Sequence, residues 1–172
     1  TICSNAVIEN KVAKTGLILT RGFRDVLPMR DQRGPTSPNV NWQAPDPLVP
    51  RTLCLEVSER VLATGKVDRA LDEADVLRAI AALKEQGAEA VAVCLINSYL
   101  NPAHEKRIGE LLAKHAPDLV VCLSCDISPE VREYPRTSTT VINASLTPVV
   151  TRYLDKLEGR LSAHGSDLLI MQ

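Results

Sequence analysis

The sequence is poor in aromatic side chains, which make up 3% of its 172 residues. A core must therefore be built from Leu, Val, Ile and Ala, and a surface for single-stranded nucleic acid lacks its usual stacking platforms. The formal net charge is −1, so the chain as a whole attracts neither nucleic acid nor anionic lipid. No apolar run approaches the ~20 residues of a membrane-spanning helix. These absences predict a chain that binds neither nucleic acid nor membrane.

Motifs that commonly hold phosphate or metal are also missing. The eight glycines are isolated, and neither G-x-G-x-x-G nor G-x-x-x-x-G-K-[ST] occurs. The five cysteines are odd in number, and the C-x-x-C pair Cys122 and Cys125 has no second pair to complete a zinc site. Cys94 and Cys122 stand in apolar runs, where a reduced thiol acts as a small hydrophobe. We therefore expect no metal site, and a reducing, cytoplasmic location.

The first part of the chain is irregular. Residues 1–13 are predicted to form a helix, and residues 17–20 a short buried strand. The proline-rich stretch 28–50, which holds Trp42, is predicted to be a long loop after at most one helical turn. Residues 53–61 alternate apolar and polar side chains, and with residues 67–71 they predict a β-hairpin. Residues 1–71 therefore form an N-terminal region.

In residues 72–172, predicted helices and strands alternate along the chain. A helix opened by Asp72 and Asp75 is predicted to bury Val76, Leu77, Ile80 and Leu83. Two continuous apolar runs, 90–96 and 119–124, flank a helix over 101–117 and are typical of strands covered on both faces. A helical turn is expected at 128–130, then a last helix through Pro148 to Gly165 and a strand at 168–172. This order predicts an α/β fold with mostly parallel strands and crossover helices. Because the last predicted strand needs neighbours, we expect a single domain that is part of a longer chain.

A run of four hydroxyl side chains, Thr137 to Thr140, is the most unusual local feature. If a helix begins there, one hydroxyl is expected to cap it. Alternatively, the free N–H groups at the helix start and Arg136 hold an anion. Both explanations stay open on chemistry alone, although capping accounts for at least one hydroxyl. Asn97 and Ser98 present a similar choice, because they follow a buried strand where α/β sheets bind ligands.

Several longer stretches taken together resemble the hydantoinase A/5-oxoprolinase family. The matching segments occur in the same order as in the family and cover nearly the whole chain: SNAVIENKVAKTGLILTRGFRDVL, PLVPR, LEVSERV, AVAVCLINSYLNPAHEKRI, LSCDISPEVREYPRTSTTVINASL and LLIMQ. The chain is similar to an internal part of the family's large subunit. The family's phosphate motif, Asp-x-Gly-Gly-Thr, is expected before residue 1.

The resemblance implies part of an actin/Hsp70-like (ribonuclease H-like) ATPase fold. It also implies an enzyme that uses ATP and Mg²⁺ to open cyclic amides or, in relatives, to carboxylate ketones, working with a hydantoinase B-type partner. ATP is needed because an unstrained amide is a poor electrophile until its oxygen is phosphorylated. The candidate nucleotide- or substrate-binding residues that it implies are Arg132, Glu133, Arg136, Thr137, Ser138, Thr139 and Asn143, together with Asn97 and Ser98.

Two hypotheses from different classes follow. In the first, the chain is a segment of an ATP-dependent cyclic-amide hydrolase and is inactive alone, with ketone carboxylation as the alternative reaction. In the second, it is a non-catalytic lobe that docks a partner subunit through the proline-rich loop and Trp42. An Asp-x-Gly-Gly-Thr motif upstream favours the enzyme, and loss of subunit association on deleting residues 34–47 favours the docking lobe.

Overall fold

A computed structural model describes residues 2–31, 41 and 45–162 of the chain. The helices are α1 Ile2–Ile8, α2 Val26–Met29, α3 Glu73–Glu85, α4 Ala103–His115, α5 Ser124–Ile127 and α6 Glu133–Ser162. The strands are β1 Thr15–Thr20, β2 Cys54–Val57, β3 Arg60–Val61, β4 Val67–Arg69, β5 Ala90–Cys94 and β6 Val120–Leu123. A 3-10 turn, Arg51–Leu53, leads into β2.

Four parallel strands form the sheet that organises these elements, in the order β2-β1-β5-β6. Leu17 of β1 lies opposite Cys54 of β2 on one side and Ala92 of β5 on the other. All of β1 and β5 is buried, as their continuous apolar runs predict. Helices α3 and α4 make the crossovers β2-α3-β5 and β5-α4-β6 and pack against each other, and α6 packs mainly on β5 and β6. The predicted α/β fold with parallel strands and crossover helices is confirmed.

Close packing between a helix and the sheet is clearest at Gly16 in β1. A Cβ placed there lies 2.4 Å from Leu83 Cδ2, and Leu83 is fully buried in α3. A larger residue at position 16 would therefore require the buried side chain of Leu83 to move. The predicted apolar face of α3 is confirmed at Val76, Ile80 and Leu83, but Leu77 is exposed.

The predicted hairpin is wrong in its first half. Residues 54–57 leave the hairpin and pair in parallel with β1 at the sheet edge, and only β3 and β4 pair in antiparallel fashion. The alternation of side chains is compatible with either partner, because it specifies one buried face and not the strand that pairs with it.

Three further predictions are corrected near the helix ends. Helix α1 stops at Ile8, short of residue 13. The turn expected at 128–130 is wrong, because the helical turn is α5, at residues 124–127. Helix α6 begins at Glu133, so the hydroxyl run lies inside the helix and caps nothing. Pro135 stands in the first turn of α6, where its missing N–H costs no hydrogen bond.

Some predicted features lie outside the described residues. They are Trp42, most of the loop around it, Gly165, His164 and the strand at 168–172. The division between residues 71 and 72 stays a prediction.

Candidate functional site

Open parallel α/β sheets bind ligands at the carboxyl ends of their strands. A pocket of about 340 Å³ lies at this edge of the sheet, between α2 and the start of α6. Its apolar lining is Phe23, Val26, Met29, Tyr134 and Pro135. Its charged lining is Arg30, Asp31, Arg132 and Glu133. We call this the α2–α6 pocket. It joins two stretches on which the family resemblance rests, and they are about 100 residues apart in the chain.

Arg132 and Glu133 stand side by side in this pocket. Arg132 is exposed and has a φ of 81°, a left-handed backbone conformation that is unfavourable for a residue with a Cβ. Neither side chain forms a hydrogen bond or ion pair with any other residue that the structure describes. Arg30, by contrast, donates from Nη2 to the carbonyl oxygen of Pro45 at 2.5 Å. Within the described part of the chain, the pocket therefore offers one unpaired cation, Arg132, and two unpaired carboxylates, Asp31 and Glu133.

Arg136, in the first turn of α6 after Glu133, is buried, with 1% of its surface exposed. Its Nη1 donates to Glu130 O and its Nη2 to Leu95 O, both at 2.9 Å, and its guanidinium lies 5.5 Å from the ring centroid of Tyr99. Its Nε has no partner among the described residues. Arg136 therefore ties the loop before α6, which includes Glu130, to the end of β5.

The other candidate residues do not converge on this pocket. Thr137 is buried beside Arg136. Ser138 lines a smaller pocket of about 110 Å³ with Leu27 and Val141. Thr139 and Asn143 line a separate groove of about 390 Å³ on α6. A direct ligand contact for any of these residues stays a prediction.

Asn97 and Ser98 lie at the carboxyl edge, as expected, and both are held by protein groups. Asn97 has a φ of 57°, and its Nδ2 donates to Val61 O at 2.9 Å, so it anchors the small hairpin. Ser98 is buried, and its Oγ lies 3.1 Å from the Oγ of Ser124. Their binding roles also stay predictions.

Sequence reasoning missed a buried carboxylate, Glu105. It is fully buried in the first turn of α4 and accepts hydrogen bonds from Leu95 N at 2.8 Å, Ser124 Oγ at 2.7 Å and Cys125 N at 2.8 Å. These bonds connect the ends of β5 and β6 and cap the N-terminus of α5. The available signal was helical spacing, because Ile108 is three residues further along and on the same face.

The neighbouring residue, His104, begins a second buried connection. Its Nδ1 lies 2.8 Å from Glu59 Oε2, and Glu59 also accepts a hydrogen bond from Thr20 Oγ1. Thr20 Oγ1 in turn accepts from Ile96 N at 3.0 Å. Together, His104 and Glu105 reach the ends of all four strands of the main sheet. The dipeptide thus fixes the sheet edge on which the α2–α6 pocket stands.

The cysteines do not provide a nucleophile at this edge. Burial, reinforced by the charge of Glu105, raises the pKa of the Cys94 thiol to about 11. The same two causes raise the pKa of Cys125 to about 12. Both thiols are therefore protonated at neutral pH, and the reactive form is the thiolate.

A triphosphate does not fit the residues that line the α2–α6 pocket. Two carboxylates accompany the two arginines of the α2–α6 pocket, and no glycine-rich backbone surrounds it to cradle a triphosphate. Within the described ranges, no group of three or more His, Cys, Asp or Glu side chains is arranged to hold a metal ion. We therefore assign the lining of the α2–α6 pocket no contact with the triphosphate of ATP. None of the described helices is both long and apolar enough to cross a bilayer.

Comparison with solved structures identifies the class of fold. The crystal structure of ATP-dependent caprolactamase from Pseudomonas jessenii superposes with a TM-score of 0.92 and 34% identity, covering 98% of this chain and 25% of that one. A nucleotide-free structure of acetone carboxylase gives a TM-score of 0.79 and 28% identity, covering 96% of this chain and 25% of that one. The chain therefore has an α/β fold of the actin-like ATPase class.

Sequence comparison identifies the family. Residues 1–116 match the hydantoinase/oxoprolinase N-terminal region. Caprolactamase subunit alpha from Pseudomonas jessenii is 36% identical over 170 residues, covering 96% of this chain and 24% of the relative. Acetophenone carboxylase gamma subunit from Aromatoleum aromaticum is 32% identical, covering 99% of this chain and 25% of the relative. For 5-oxoprolinase from Saccharomyces cerevisiae the identity is 28%, covering 97% and 15%. The chain belongs to the hydantoinase/oxoprolinase family, as the resemblance implied, and spans a quarter or less of these relatives.

Proposed function

We propose that this chain is part of an ATP-dependent cyclic-amide hydrolase of the hydantoinase/5-oxoprolinase type. The observation that carries the proposal is its similarity to caprolactamase subunit alpha, at 36% identity over 96% of the chain. The TM-score of 0.92 with the caprolactamase structure supports the same assignment. The proposed whole enzyme works in the cytoplasm with a hydantoinase B-type partner subunit, and the names of the relatives as subunits support such an assembly.

In this proposal the described residues bind and position the cyclic amide, and other parts of the whole protein hold the triphosphate of ATP. ATP with Mg²⁺, held elsewhere in the whole protein, supplies the phosphoryl group that turns the amide oxygen into a leaving group. The contribution of this chain is a rigid sheet edge, held by His104 and Glu105, and an open pocket above it. Rigid support matters because a small misplacement of reacting groups slows a reaction greatly.

Phosphate release by the whole protein with its partner subunit tests the proposal. The substrates are caprolactam, 5-oxoproline and hydantoin, each offered with ATP and Mg²⁺, and ATP with Mg²⁺ alone is the baseline. We expect at least one cyclic amide to raise phosphate release above the baseline. The isolated 172-residue chain is the matched control and is expected to release none. If no cyclic amide stimulates the complete assembly, the proposal fails.

Ketone carboxylation is the second candidate reaction. It is supported by the 32% identity to acetophenone carboxylase gamma subunit and by the TM-score of 0.79 with acetone carboxylase. Acetone and acetophenone, each with and without bicarbonate, distinguish the two reactions. A carboxylase turns over ATP productively only when ketone and bicarbonate are both present, whereas ring opening needs no bicarbonate.

A further inference from the structure

We propose that the α2–α6 pocket binds the ring of the cyclic amide, with Arg132 directed at its carbonyl oxygen and Glu133 at its N–H. This inference rests on the proposed function and adds the place where the substrate is held. The pocket is lined by five apolar side chains and has a volume of about 340 Å³, which is ample for a single ring. Small-molecule sites in proteins combine an apolar lining with a few placed polar groups in this way.

The charges that line the pocket favour a neutral ligand. Two arginines and two carboxylates, Arg30, Arg132, Asp31 and Glu133, cancel in formal charge. An anion such as a triphosphate meets two carboxylates there, and a cation meets two guanidinium groups. A cyclic amide is uncharged, and it presents a hydrogen-bond acceptor and donor on adjacent atoms. It therefore matches a guanidinium beside a carboxylate better than either ion does.

Arg132 and Glu133 are a neighbouring cation and anion that are both available to a ligand, and Asp31 is a second unpaired carboxylate on the α2 side of the pocket. The Arg30 guanidinium already bonds Pro45 O, whereas Arg132 and Glu133 have no side-chain partner within the described residues. A free donor group and a free acceptor group next to an apolar wall are the elements that orient a polar ring. Phe23 supplies part of that wall, and its own ring is covered by the Arg60 guanidinium at 5.3 Å from the centroid.

The backbone holds Arg132 in an unfavourable conformation at this position. The guanidinium of Arg136 holds the carbonyl of Glu130, and the N–H of Arg136 donates to the carbonyl of Arg132 at 3.4 Å. Residues on both sides of Val131 are therefore fixed from the core. A left-handed backbone at a residue other than glycine, kept by surrounding structure, is common at ligand clamps. Arg132 is thus presented to the pocket by the buried Arg136.

Steady-state kinetics of the whole protein with its partner subunit test this proposal. The first variant is Arg132→Gly, which removes the guanidinium and suits a φ of 81°, so the fold is retained. The second is Glu133→Gln. We expect each to raise the KM for caprolactam or 5-oxoproline about 10- to 100-fold, the effect of one lost charge-assisted hydrogen bond. The KM for ATP is expected to change less than about 2-fold, since ATP binds elsewhere.

Matched controls separate binding from structural effects. Asn10→Gly makes the same backbone change at a φ of 52°, at an exposed position outside the pocket. Glu85→Gln makes the same charge change on the exposed side of α3. Both are expected to leave the two KM values unchanged. Arg132→Lys keeps the charge and is expected to recover part of the affinity for the cyclic amide.

The kinetic outcomes separate the inference about the α2–α6 pocket from the proposed function. A rise in the KM for ATP alone assigns the pocket to the base of the nucleotide and overturns the inference, as does an unchanged KM for the cyclic amide in both variants. If Arg132→Gly lowers the thermal midpoint of the assembly and Asn10→Gly does not, the KM of Glu133→Gln for the cyclic amide tests the inference: a rise supports it and an unchanged value overturns it. If no cyclic amide raises ATP turnover by the wild-type assembly, the proposed function fails, and the inference that rests on it fails as well.

Discussion

Replacing Glu105 by leucine tests whether the buried carboxylate holds the sheet edge together. The substitution leaves the N–H groups of Leu95 and Cys125, each 2.8 Å from a Glu105 oxygen, without an acceptor. A buried donor left unsatisfied costs about 1–3 kcal/mol. The hydroxyl of Ser124 adds little, because it can turn to the Oγ of Ser98 at 3.1 Å.

Removing a buried charge also removes its desolvation cost, which offsets part of this loss. We therefore expect Glu105→Leu to lower the free energy of unfolding by about 2–4 kcal/mol, a large share of the ~5–15 kcal/mol typical of a domain. Urea-induced unfolding of the chain at pH 7, followed by circular dichroism, measures the difference.

Glu110→Leu is the matched control in the same helix. Glu110 is 65% exposed and, among the described residues, pairs only with Arg107, so its loss is expected to cost less than about 0.5 kcal/mol. If Glu105→Leu costs no more than Glu110→Leu, the carboxylate does not hold the strand ends, and this explanation of the sheet edge is refuted.

Two further predictions concern the packing of α3. Hydrogen bonding from Ser58, then the charges of Arg21 and Arg78, hold the pKa of Asp75 below its ordinary 3.8. The stabilising effect of the Asp75 carboxylate is therefore complete above about pH 4, and it is lost as the pH falls through the lower pKa of the folded state. The free energy of unfolding of Asp75→Asn should be about 1.5–3 kcal/mol below that of the wild type at pH 6. This difference should shrink below pH 4. A gap that does not change with pH contradicts the assignment. Gly16→Ala places a Cβ 2.4 Å from the buried side chain of Leu83 and should lower the free energy of unfolding by about 1–3 kcal/mol in urea, with partial recovery in Gly16→Ala/Leu83→Val. Equal losses in the single and double variants argue against the contact.

The sheet could be predicted because buried parallel strands leave an unmistakable pattern. Residues 90–96 form a continuous apolar run, and all of β5 is buried. The pairing of residues 54–57 could not be predicted in the same way. Their alternating pattern indicates one covered face, and the choice between β1 and β4 depends on packing far away in the chain.

Helix α5 illustrates a second kind of failure. The sequence predicts a helical turn at 128–130, because Pro129 is favourable at a helix start. In the structure, the carboxylate of Glu105 accepts the N–H of Cys125 and supports a turn four residues earlier. A long-range hydrogen bond decides this local structure, and no local pattern contains it.

The candidate site was only partly predictable for a related reason. Arg132 and Glu133 could be proposed from the resemblance, but their separation from Thr139 and Asn143 depends on where α6 begins. The hydroxyl run suggested a start near Thr137, whereas Glu133 is the first helical residue. Glu59 and Glu105 were missed because glutamate is usually a surface residue, and nothing in composition marks the rare buried one.

The most direct test of the central claim is the stoichiometry of the reaction that the whole protein carries out with its partner subunit. ADP and the ring-opened product are measured in the same mixture with caprolactam, 5-oxoproline or hydantoin as substrate; the product is an amino acid for the first two and an N-carbamoyl amino acid for hydantoin. The account predicts that ADP and the ring-opened product form in equal amounts. It also predicts that little ADP forms without the cyclic amide and that little ring-opened product forms without ATP. Ring opening at full rate without ATP, or ADP formation without ring-opened product, would contradict it.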